Sequence, residues 1–130
     1  MRACLLLATL TLLAACDTSA PPGTLPAVYR VEMVGETFRI SAETEAQAAA
    51  ADAALASGRV GVILGTLVRG DGGVNTGYSW HLDPATIEYP DASIELCDAR
   101  PSFVEEDLDY WVDTVGRFCP WSARVVGRED

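Results

Sequence analysis

The chain has no lysine. Its nine cations are all arginines, set against 19 acids, and it holds a single histidine. With alanine, glycine and valine abundant, the missing lysine reads as the signature of a GC-rich genome and not as a physical adaptation. After Arg2, the residues Arg30, Arg39, Arg59, Arg69, Arg100, Arg117, Arg124 and Arg128 stand singly along the chain. A phosphate backbone needs its cations gathered in one patch, so nucleic acid is excluded as a partner. One histidine and no Cys-x-x-Cys pair leave no zinc-ribbon pattern. Gly-x-Ser-x-Gly and phosphate-cradling glycine loops are absent too, which removes the commonest nucleophile and nucleotide motifs. No apolar run approaches the roughly 20 residues needed to cross a bilayer as a helix.

The longest apolar run is N-terminal. Arg2 precedes an apolar stretch from Ala3 to Ala15, interrupted only by threonines and ending in Leu13-Ala14-Ala15-Cys16. A short positive start, a short apolar middle and small residues at the end make a signal peptide. The last four residues resemble the lipobox of bacterial lipoproteins, which implies cleavage before Cys16 and a lipid on its thiol. An ordinary secretory signal, or a buried apolar helix, is the alternative. Asp17 to Pro26 follows as a polar, proline-rich stretch with no apolar face, suited to a tether. The expected organisation is a signal peptide over 1–15, a lipidated tether over 16–27 and one domain over 28–130. Asp17 resembles the residue that retains some Gram-negative lipoproteins in the inner membrane, so a periplasm-facing position there is slightly favoured.

Without residues 1–15 the chain keeps all 19 acids and eight arginines, a formal charge near −11. The charge is concentrated late, with 12 acids and four arginines from Asp83 onward. Electrostatics therefore favour a divalent cation or a basic protein surface as partner, with the lipid anchor overcoming repulsion from an anionic bilayer. Cys4 leaves with the signal and Cys16 takes the lipid, so Cys97 and Cys119 remain as a pair. In an exported domain an even pair is most simply a disulfide. A metal site from Cys97, Asp98, Cys119 and His81 is the competing reading.

Alternation over Val28–Val34 and Thr37–Ile40, with Gly35-Glu36 between, predicts a hairpin. Ser41 is placed to cap an alanine-rich helix from about Ala42 to Ala56, closed by Gly58. The β-branched run from Arg59 to Val68 reads as a central strand, and Gly70–Gly77 as a turn leading into the alternating Tyr78–Pro84. Thr86–Tyr89 and Ser93–Cys97 read as short extended pieces. Ser102-Phe103-Val104-Glu105 has the form of a capping box behind Pro101, and Trp121–Val126 that of a last strand. The expected fold is α+β: an antiparallel sheet of four to six strands, one main helix on one face and a short disulfide-tied helix. The three tryptophans are expected in the core or as half-buried anchors, with Trp121 against the disulfide.

Trp80-His81-Leu82-Asp83-Pro84, Ile94-Glu95-Leu96-Cys97-Asp98-Ala99, Phe103-Val104-Glu105-Glu106 and Cys119-Pro120-Trp121-Ser122 follow one another in order. In that order and spacing they resemble a small secreted domain of bacterial and slime-mould proteins, sometimes labelled calmodulin-binding or calcium-associated. The resemblance spans roughly Phe38 to Glu129. Phe118 stands where relatives carry a second tryptophan, a departure that alters packing more than chemistry. The resemblance implies a fold and brings no activity with it.

His81 and Asp83 lie two apart on a strand and so share a face, a geometry open to a ligand pair, an acid/base pair or a hydrogen bond at the sheet surface. Asp71 to Leu82 fails the EF-hand pattern because Gly73, Thr76 and Leu82 occupy positions that need a ligand, a glycine and a glutamate. Asp83, Glu95, Asp98 and Glu105 form the better candidate for a metal, and hard oxygen ligands would select calcium. Otherwise these carboxylates cap helices or meet arginines. No catalytic residue and no required cofactor is assigned. Two functions follow: a non-enzymatic, lipid-anchored binding module of the envelope, open to cation dependence, or a metal-dependent or hydrolase-like enzyme using His81 and nearby carboxylates. A structural or inhibitory lipoprotein differs from the first only in its partner.

Overall fold

The computed structural model describes residues 23–129. Cys16 and most of the tether lie outside them, as does Asp130. Strand β1 (Ala27–Met33) turns Ala27, Tyr29, Val31 and Met33 inward and Arg30 and Glu32 outward, the period of two that a half-buried strand requires. It pairs antiparallel with β2 (Glu36–Ala42), setting Tyr29 opposite Ile40 and Val31 opposite Phe38. The connection is Val34-Gly35, both at positive φ, +48° and +79°. Two positive φ values define the hairpin turn whose twist matches its strands. Glycine accepts that conformation freely; the β-branched Val34 does not.

Helix α1 (Glu45–Ser57) starts one turn later than the sequence suggests, and its cap is Thr44 instead of Ser41. Ser41 belongs to β2, which runs on because Ala42 is buried opposite Ala27. Thr44 Oγ1 accepts from the Gln47 N–H, and Gln47 Oε1 accepts in return from the Thr44 N–H, a reciprocal capping box. Gly58, at φ +62°, closes the helix as expected. Ala48, Ala51 and Ala54 face the sheet, so the helix lies close to it through small side chains.

Strands β3 (Gly65–Arg69), β4 (Trp80–Leu82) and β5 (Arg117–Phe118) form a second antiparallel sheet in the order β4-β3-β5. Strand β6 (Arg124–Glu129) completes the first, in the order β2-β1-β6. The α+β class holds, with its strands divided between two sheets of three. The long central strand expected from Arg59 shortens to Gly65–Arg69, and ahead of it only the single bridges Gly61 to Ala123 and Leu64 to Glu88 form. Pro84–Thr86 and Glu95–Cys97 are 3-10 turns, not extended pieces. In α2 (Pro101–Glu106) Ser102 makes no capping box, because its N–H and hydroxyl donate to Glu36 while Glu105 is engaged elsewhere. A π-helical segment, Tyr110–Val115, leads into β5.

Phe38 of the first sheet meets Trp80 and Phe118 of the second, with ring centroids 5.2–5.8 Å apart, and this trio joins the two sheets. Asn75 reinforces the junction. Fully buried, it accepts from the Arg39 N–H of β2 and donates to the Trp80 carbonyl of β4, each at 2.9 Å.

Candidate binding face

The structure places Cys97 and Cys119 in one disulfide, Cα atoms 5.1 Å apart, well inside the limit for a bridge. The Cys119 N–H donates to the Cys97 carbonyl at 2.8 Å, and Val62 packs on the bridge with Leu64 and Val115. The bond ties the Glu95–Cys97 turn to the segment that follows β5. It thereby also fixes what lies on the outside of that turn.

His81 lies on β4 and Asp83 just beyond its end, and the two do not bond to each other among the described residues. His81 Nδ1 donates to the Gly70 carbonyl at 2.7 Å, and Asp83 Oδ1 accepts from the Ala85 N–H at 3.0 Å, capping a 3-10 turn. Each side chain thus meets a nearby backbone group. The carboxylates disperse for the same reason. Asp98 Oδ1 accepts from the Trp121 N–H at 3.0 Å, and Glu105 takes both the N–H and hydroxyl of Ser79, at 2.7 and 2.8 Å. Glu95 stands exposed on its turn. Among the described residues no three histidine, cysteine, aspartate or glutamate side chains gather as a group able to hold a metal ion. Asp83, Glu95, Asp98 and Glu105 are therefore not brought together as the shared site expected of them. Three of the four instead take separate backbone partners, because loop N–H groups without sheet partners draw the nearest carboxylate. Asp71 behaves likewise, accepting from the Gly73 N–H at 2.8 Å in a turn.

The surface over the disulfide is apolar. Val60 is 65 % exposed, Ile94 66 %, Leu96 59 % and Trp121 38 %; Val34, Phe103 and Tyr110 are exposed singly elsewhere. Val60, Val62 and Trp121, together with Asp91, Ala92 and Ser93, line an open groove of about 380 Å³. Ile94 and Leu96 follow Ser93 in the chain and are exposed. Residue patterning did not reveal this face, since Val60 and Ile94 sit in runs that read as buried strand. The visible signal was Pro90-Asp91, which marks a loop whose apolar residues have no sheet to enter.

A second opening of about 350 Å³ has Arg39 and Glu129 on its wall, and these two already neutralise each other at 2.8 Å.

Residues 26–130 match the family model of the BP-74 N-terminal domain, and the chain belongs to that family. No curated protein and no solved structure matches the chain.

Proposed function

We propose that the chain is a binding module of the bacterial cell envelope, held at a membrane by lipid on Cys16, periplasm-facing, and acting without catalysis. The observation that carries the module is the apolar face over the Cys97–Cys119 bridge. Val60 and Trp121 line an exposed groove there, Ile94 and Leu96 stay exposed a few residues before Cys97, and exposed apolar surface of that kind marks an interaction site. The anchor rests on Leu13-Ala14-Ala15-Cys16 and on the proline-rich stretch behind it, which separates lipid from domain. The surplus of acids directs the module toward a basic protein surface.

The experiment is metabolic labelling with an alkyne fatty acid. Wild-type protein takes the label and sediments with membranes, whereas Cys16→Ser takes none and either stays unprocessed or leaves the membrane fraction. An unlabelled wild type overturns the anchor.

A further inference from the structure

We infer that the groove between Val60, Trp121 and Asp91 is the docking site for a segment of another exported protein that combines large apolar side chains with arginines or lysines. This rests on the reading of the chain as an anchored module and names its partner class.

The position of the groove supplies the first argument. The tether enters the domain at Ala27, the start of β1. Strand β6 ends at Glu129 opposite Val28 and begins at Arg124 opposite Glu32. The bridge from Gly61 to Ala123 lies immediately before that beginning, with Val60 and Trp121 beside it. At about 3.3 Å per residue, the groove is about 15 Å farther along the sheet than the tether. It lies toward the end of the sheet remote from Ala27, where the chain enters the domain.

Charge supplies the second. From Asp83 to Asp98 the chain carries Asp83, Glu88, Asp91, Glu95 and Asp98 and no arginine. Among the described residues none of these five forms an ion pair. The nearby Arg59 anchors the acidic loop by donating to the Tyr89 and Pro90 carbonyls at 3.1 and 3.0 Å, and its single charge offsets one of these five acids. An apolar groove with Asp91 among its lining residues, on a domain with a large surplus of acids, favours a basic, apolar segment. A second copy of the chain, at formal charge −10, and an anionic lipid surface both meet repulsion there.

The test uses the full lipoprotein in neutral detergent micelles and three synthetic amphipathic peptides, of leucine with arginine, leucine with glutamate, and serine with arginine. Trp80 and Trp111 are buried, so a blue shift of tryptophan emission reports Trp121. The leucine/arginine peptide is expected to bind in the micromolar range, shift the emission and weaken with added sodium chloride. Val60→Ser with Ile94→Ser, both on exposed positions, should weaken it about tenfold or more at an unchanged melting temperature, and Asp91→Asn by a smaller factor with a shallower salt dependence. Equal binding of the leucine/glutamate peptide, no binding of any peptide, or an unaffected double variant overturns the proposal. So does concentration-dependent dimerisation that the double variant abolishes, or an equal emission shift on phosphatidylglycerol vesicles. Fatty-acid label on Cys16 without peptide binding defeats the groove and leaves the anchor standing; peptide binding without label does the reverse.

Discussion

Asp52 fastens the alanine-rich helix to the sheet, and its removal should be costly out of proportion to its exposure. The buried Tyr29 hydroxyl of β1 donates to Asp52 Oδ1 at 2.8 Å, and Arg128 Nη1 of β6 donates to Oδ2 at 2.9 Å, with the guanidinium over the Tyr29 ring at 5.5 Å. One carboxylate on α1 thus holds two strands, on a helix whose buried contacts are alanines. Because Arg128 and Asp52 are partly exposed, their ion pair contributes at most about 1 kcal/mol. The hydrogen bond from a buried hydroxyl to a charged acceptor contributes about 1.5 kcal/mol or more. Asp52→Ala should then cost about 2 kcal/mol, softened by the Ala48 carbonyl, which lies 3.2 Å from the Tyr29 hydroxyl and can accept in place of Asp52. In a domain of this size that lowers Tm by about 10 °C. Tyr29→Phe should cost about 1 kcal/mol, and the double variant less than the sum of the two by about 1 kcal/mol. Urea unfolding followed by far-ultraviolet circular dichroism measures all three. The same contacts set the alkaline limit. Burial first, then the bond to Asp52 and its charge, hold the Tyr29 phenol above its ordinary value near 10, and burial pushes Tyr89 up to about 12. Since the unfolded phenols ionise first, stability from these groups is complete below about pH 10 and is lost as pH rises above it. Asp52→Ala should bring the Tyr29 titration down partway, read as tyrosinate absorbance, because burial remains. A cost for Asp52→Ala below about 0.5 kcal/mol, or strict additivity in the double variant, would refute the coupling.

The other predictions are independent of that cluster. Val34 occupies a left-handed conformation with its side chain in solvent, so Val34→Asn, the residue such a turn favours before glycine, should stabilise by about 1 kcal/mol; a lower Tm would contradict the turn assignment. Replacing both Cys97 and Cys119 by alanine opens a loop of 22 residues and should cost roughly 3 kcal/mol in urea unfolding, with Trp121 emission shifting as the groove loosens; a loss under about 1 kcal/mol would show that the loop is held by other contacts.

Local physics made much of this chain legible before any coordinates. Alternation in β1 and β2, alanines ended by Gly58, and an even cysteine pair each act over a few residues or by elimination, and each stands in the fold. The α+β class follows from them. Where signals competed, neighbours decided. Ser41 is a good cap by residue type, yet it lost that role to Thr44 because Ala42 was more favourably buried against Ala27. Ser102 and Glu105 have capping-box spacing but were taken by Glu36 and Ser79, 66 and 26 residues away. The acidic set dispersed in the same way. Proximity in a motif says which carboxylates are available, while only the folded chain shows that backbone N–H groups of Ala85, Trp121 and Ser79 reach them first. The apolar face over the disulfide is likewise a tertiary outcome. Hydrophobicity marks Val60, Ile94 and Trp121 for burial, and they stand exposed beside residues tied by tertiary contacts, Val60 next to the Gly61–Ala123 bridge, Ile94 near the disulfide and Trp121 on Asp98.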